Sequence, residues 1–367
     1  AQAWRLRGQI NLLLANYEQA IDDLNRSKAL VSEPLTQIIL ARAYLYAGRE
    51  EDAITELRSA IEQPQAPPEA RRLLEQVYLQ LDRKAQLKRF YDETLQEFPD
   101  SVFWYNRAGA FAAVTGDLSR AEQLYKQAWQ KAQKGSADSA IAFDGYLGAL
   151  VSEGKFDEVI QVATEHIDGD LAPIAYLRMA EAKLKLGDRT SAVQYCQRAL
   201  DKASGDEQLM SRTLQRMYSL LGAEPVLNYC KEKLETTPDS LAANLAMFNL
   251  MRIAGEYNKA LSYIDKCLEL LEPDDPKRTN YVVSKTEVLW LAYNKTSDKS
   301  YLDKAIASYE SLLAKMPNNT TILNNLAYFL AENNERLAEA LEYARRAYQA
   351  RPNNPSFMDT YSYVLYK

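Results

Sequence analysis

The sequence predicts an all-α solenoid of tandem antiparallel helix hairpins, and three observations predict it. Small and aromatic residues recur with a period of about 34 residues. Glycine and proline number only 13 each in 367 residues, too few turn formers for a β-rich or α/β chain of this length. The small residues also recur in pairs, one on each helix of a hairpin, as two helices need if their backbones are to approach closely.

The register is set by Trp4, Gly8, Tyr17, Ala20 and Leu24. It recurs as Leu40, Ala41, Tyr44, Gly48, Ala53, Leu57 and Ala60, then as Ala108, Gly109, Gly116, Ala121, Tyr125 and Ala128. Further copies read Tyr146, Leu147, Gly154, Phe156 and Ala163; Tyr176, Ala180, Gly187, Ala192 and Ala199; and Met247, Gly255, Tyr257, Ala260 and Cys267. Weaker copies carry Leu74, Tyr78, Tyr91 and Pro99, then Leu214, Tyr218, Gly222 and Pro238. Residues 1–271 are thus expected to hold eight tandem repeats, clearest over 1–33, 34–67, 102–135, 140–172, 173–206 and 241–271. A longer irregular repeat follows over 272–317, another repeat over 318–354, and the first helix of a truncated one over 355–367. In the irregular repeat a helix from about Lys277 to Tyr293 is expected to lead into a projecting loop, Asn294 to Lys299.

Gly48, Gly116, Gly154, Gly187 and Gly255 stand where first helices stop, and glycine tolerates the left-handed backbone that helix ends use. Each hairpin alone leaves an apolar face uncovered, which only the next copy can bury.

These residues resemble the tetratricopeptide repeat (TPR) family, in a multi-repeat, bacterial-type array. Its signature is an aromatic residue and a Leu-Gly or Leu-Ala pair on the first helix, followed by Ala, an aromatic, Ala and Pro. The resemblance covers essentially the whole chain. It implies a right-handed superhelix whose first helices line a concave groove, and a protein-protein interaction scaffold that binds a peptide or partner protein there. The lining implied for this chain is Arg5 and Gln9; Ile38, Arg42 and Tyr46; Arg72 and Gln76; and Asn106, with Asn249 and Asn325 later. Arg5, Arg42 and Arg72 then form a basic stripe suited to an acidic peptide, or else pair with neighbouring glutamates. Asp144, Leu177, Glu181 and Phe329 complete a mixed lining further on. The family's carboxylate clamp is not matched, since Gln9 stands where it uses Asn and Ile38 carries no charge.

No enzyme motif is present: there is no Gly-rich phosphate loop, no His-Glu-x-x-His and no Gly-x-Ser-x-Gly. The chain is therefore read as not an enzyme, with no cofactor and no metal. Its one histidine, His166, is expected at the end of a second helix, where other repeats place Ala60, Ala128 or Ala199. Cys196, Cys230 and Cys267, about 35 residues apart, are expected as small core residues of successive second helices. A formal charge of −6 argues against nucleic acid as a partner, and no apolar run is long enough for membrane insertion.

The chain starts without Met and lies inside the pattern at both ends, so it is expected to be a piece of a longer protein. Its compartment is unassigned: cytoplasmic by default, exported or periplasmic if a targeting segment precedes it. Two other roles fit the same residues: a self-assembling module that stacks end to end as a homo-oligomer, and a regulatory segment of a larger enzyme.

Overall fold

The computed structural model describes residues 1–204 and 206–367. Gly205, inside the expected repeat 173–206, lies outside the described residues. Among them are 21 α-helices and no strand, so the fold is an all-α solenoid. The chain divides into two compact units, Ala1–Glu153 and Gly154–Lys367.

The first unit contains four hairpins and one further helix. They are α1 (Gln2–Leu13) with α2 (Tyr17–Leu30), α3 (Pro34–Tyr46) with α4 (Glu50–Ile61), α5 (Pro68–Gln80) with α6 (Lys84–Glu97), α7 (Val102–Val114) with α8 (Leu118–Lys131), then α9 (Ala137–Ser152). The close helix contacts are made by small residues: Ala20, Ala41, Ala53, Ala60, Ala121 and Ala128 have no exposed surface. At Gly8 a Cβ would fall 2.7 Å from Leu24 Cγ, so the α1–α2 approach requires glycine.

First helices end in a left-handed residue. Gly48 and Gly116 adopt φ of 72° and 83° without strain. Ala15 takes the same place at φ 60° with a Cβ, which costs about 1 kcal/mol. Helix starts are set by Pro34 and Pro68 in the first turn and by the side chains of Ser101 and Ser136, which accept from Trp104 and Ser139 backbone N–H groups.

The second unit begins with α10 (Phe156–Thr164). Five hairpins follow: α11 (Ala172–Lys185) with α12 (Arg189–Lys202), α13 (Glu207–Leu221) with α14 (Ala223–Thr236), α15 (Leu241–Ile253) with α16 (Tyr257–Glu269), α17 (Lys277–Thr296) with α18 (Lys299–Lys315), and α19 (Thr320–Glu332) with α20 (Leu337–Ala350). The unit ends with α21 (Pro355–Tyr366). Cys196, Cys230 and Cys267 lie on α12, α14 and α16, all buried and unpaired.

Two expectations are corrected here. The segment expected as a projecting loop is mostly helix: α17 runs on to Thr296, Ser297 reverses the chain at φ 58°, and Asp298 caps α18 through the Ser300 N–H. The extra length of the irregular repeat is taken up by a 20-residue and a 17-residue helix. His166 does not occupy the buried alanine position, because α10 stops at Thr164 and Ala163, with no exposed surface, fills that place.

Candidate functional site

Consecutive first helices touch one another, α1 with α3 and α7 with α9 in the first unit, and α11 with α13, α13 with α15 and α19 with α21 in the second. Where they touch, neighbouring first helices form a shared face.

In the first unit this face is held together by its own charges. Arg5 on α1 pairs with Glu33 at the start of α3, and Arg42 on α3 pairs with Glu69 at the start of α5. The repeat period brings the start of one first helix beside the previous first helix, so an acidic residue there meets its arginine. Arg72, exposed on α5, has no ion pair among the described residues. The stripe of three arginines thus contains one uncommitted cation.

Gln9 is half-buried and Gln76 exposed. Tyr46 is 65% exposed, its ring stacked 5.5 Å from Tyr17. Ile38 does not line the face. It is 1% exposed, because α3 is packed by α1, α2 and α4 and is buried without interruption from Thr36 to Ala41. Asn106 is also buried: its Nδ2 donates to the Asp138 carbonyl at 3.2 Å while Oδ1 has no partner.

In the second unit Asn325 is half-buried and donates to the Tyr309 hydroxyl at 3.3 Å. Glu181 is held by Arg178 and Arg216, at 2.7 and 3.4 Å. Phe329 is in the core, 7% exposed, against Trp290 and Tyr309, and so does not line the surface.

Asn249 lies at a cleft of about 380 Å³ between the first helices α13 and α15. Its walls are Leu214 and Tyr218 from α13 and Leu245, Ala246, Leu250 and Ile253 from α15, with Val226 from α14. Ile253 is 64% exposed and Tyr218 39%. Ser211, Gln215, Asn249 and Arg252 complete the lining with polar groups. Arg252 forms no ion pair among the described residues.

The sequence also sets the α13–α14 turn beside this cleft. Only Gly222 separates the two helices, at φ 85° and ψ −169°, a conformation open to glycine alone. Pro225 fits in the first turn of α14, where a missing N–H costs little. Sequence reasoning selected Asn249 from its register but missed Tyr218, Arg252 and Ile253, whose signal is an apolar or basic residue at the exposed end of a first helix. Such a cleft accepts one bulky apolar side chain, whose burial is worth about 1.5–3 kcal/mol. The Asn249 Nδ2 donates to the Leu245 carbonyl at 3.1 Å, which leaves its Oδ1 and the Gln215 amide to bond a peptide backbone.

Among the described residues no group of three or more His, Cys, Asp or Glu side chains is placed to hold a metal ion. Among the described residues no helix is long and apolar enough to cross a membrane.

Two family models for the tetratricopeptide repeat match this sequence, one over residues 174–201 and the other over 301–355. These two segments are tetratricopeptide repeats. The first of these TPR matches falls on α11 and α12, and the second runs from α18 to the start of α21. No curated protein matches the sequence. Among solved structures, the chain is similar to one in a complex of Naa15/Naa10 bound to HypK-THB, at 13% identity and a TM-score of 0.41. That match covers 99% of this chain and 60% of the other, so this chain spans less than two thirds of its length. It is also similar to one in the APC/C hetero-tetramer Cut9-Hcn1, at 10% identity and a TM-score of 0.33, covering 99% of this chain and 96% of that one.

Proposed function

We propose that this protein is an interaction scaffold that holds a segment of a partner protein on the first-helix face of its second unit, with the α13–α15 cleft as the anchor point. One observation carries this reading: an open apolar cleft bounded by exposed Tyr218 and Ile253 and flanked by Asn249 and an arginine with no intramolecular carboxylate. Its walls come from helices packed on both sides, so little ordering entropy is spent when a ligand enters. The ligand that suits it offers a bulky apolar side chain, a backbone for the amides, and an acidic residue within reach of Arg252.

A photo-crosslinking residue placed at position 253 tests the reading directly. Partner protein recovered from that position by mass spectrometry supports it, together with loss of capture when Tyr218→Ala is added. Unchanged capture with Tyr218→Ala, or capture only from positions on the second helices, overturns it.

A second reading, end-to-end self-association, is favoured by Leu6, Ile10 and Leu13 on α1 and by Leu365 and Tyr366 on α21, all more than half exposed. Light scattering across a concentration series separates the two, since a binding module that does not self-associate keeps one mass throughout.

A further inference from the structure

A different cleft, of about 630 Å³, opens in the irregular hairpin between α17, α18 and the turn that precedes them. We propose that it docks an acidic, amphipathic segment of a partner protein, independently of the α13–α15 cleft.

The cleft exists because α17 is long. The first helices α3, α5, α7, α15 and α19 have 13 residues each and α17 has 20. Near the N-terminus of α17, Arg278, Thr279 and Val282 form one wall, facing the C-terminal half of α18. Leu268, Val282, Leu312 and Met316 give the cleft an apolar floor.

Its charge selects the occupant. Arg278, Lys285, Lys304 and Lys315 line the cleft against two carboxylates, Asp274 and Asp275, on a chain whose net charge is −6. Arg278 is committed to the end of α16, donating to the Leu268 and Leu271 carbonyls at 2.5 and 2.8 Å. Lys285 is paired with Asp265 at 2.6 Å, and Asp275 accepts from the Lys277 N–H at 2.7 Å.

Lys304 and Lys315 remain. Both are exposed, and neither has an ion pair among the described residues. They stand three turns apart on α18, about 16 Å along the helix. Between them the exposed residues are short, Ala307 and Ser311, so another backbone can come close. A helix that lays an apolar stripe on the floor and presents a carboxylate near each lysine matches this surface.

The test uses the full chain and a fluorescein-labelled amphipathic peptide with a leucine stripe flanked by glutamates, compared with its glutamine and lysine counterparts by fluorescence anisotropy. Saturable binding of the glutamate peptide is expected, with affinity falling about tenfold in Lys304→Glu/Lys315→Glu and weakening as salt rises. Ser311→Trp, an exposed change that fills the cleft without altering charge, is expected to abolish binding. Ile253→Glu, which spoils only the α13–α15 cleft, is expected to leave it unchanged. The proposal is overturned if the glutamate peptide does not bind, if the glutamine peptide binds equally, if the lysine and tryptophan variants bind as the parent does, or if only anionic lipid vesicles bind.

Discussion

Tyr125 on α8 lies so close to Gly145 on α9 that a Cβ at that glycine would fall 2.5 Å from its Cδ1. The same ring faces Gly109 on α7, where a Cβ would meet it at 3.1 Å. One aromatic side chain, 9% exposed, is thus the common spacer between two neighbouring first helices. Gly145→Ala is expected to destabilise the protein by about 1–3 kcal/mol through overpacking. Tyr125→Leu in the same chain should recover part of that loss, which a double-mutant cycle of urea unfolding measures.

Glu75, 2% exposed on α5, accepts from Arg107 Nε on α7 at 2.7 Å and from the Tyr91 hydroxyl on α6 at 2.5 Å. Burial, and after it the bond to Glu75, pushes the Tyr91 hydroxyl well above its ordinary pKa, so it remains a donor. Arg107→Ala would leave a buried carboxylate without its cation, at an expected cost of about 2–3 kcal/mol. The pair Arg107→Ala/Glu75→Gln should cost less than Arg107→Ala alone, as read from unfolding midpoints.

Asp23 on α2 accepts from Arg7 Nε at 2.7 Å and from Asn11 Nδ2 at 3.0 Å, and is 2% exposed. Hydrogen bonding from Arg7 holds its carboxyl below the usual carboxylate range. A depressed folded pKa stabilises at pH values above the unfolded value, about 3.9, and that stability is lost as pH falls through the folded pKa. Asp23→Asn should therefore be less stable than the parent at neutral pH, and the gap should close in acid. Hydrogen exchange of α1 and α2 at pH 7 and pH 3 checks the direction; a gap that widens in acid would contradict it.

Gly222→Ala should cost about 1–3 kcal/mol, because φ 85° with ψ −169° is strained for any residue bearing a Cβ. Relief of that strain would turn α14 relative to α13 and shift Val226, a wall of the α13–α15 cleft. The crosslinking yield from position 253 is accordingly expected to drop in this variant.

The thiols of Cys196, Cys230 and Cys267 are each pushed up to about 12, chiefly by burial. Thiolate is the reactive form, so none should react with Ellman's reagent at pH 8 in the native protein, and all three should react in denaturant. Reaction of the native protein would place a cysteine at the surface.

Much of this architecture is legible in residue types alone. Ala41 opposite Ala53, and Ala180 opposite Ala192, are small because two helix backbones approach there, and the structure leaves each no more than 1% exposed. Gly48 and Gly187 mark helix ends because the chain turns through positive φ. The cysteines are read correctly for the same reason, since a position repeated on each second helix is a packing position. The segment 294–299 is misread because polar residues resemble a loop, while the helix hydrogen bonds that extend α17 leave no mark in composition.

The candidate site is less legible. Arg5 and Arg42 stand at groove positions by register, yet each is paired with a glutamate about 28 residues away, and nothing in the arginines themselves distinguishes them from Arg72. Ile38 shares that register with Arg72 and is buried.

The amino-acid sequence by itself determined the all-helical solenoid and its packing residues, because burial against the next copy demands the same small and aromatic side chains in every repeat. The tertiary structure alone decided which charges are left without partners and where the face opens into a cleft. Those outcomes depend on distances between helices of different repeats, to which the repeat period is blind.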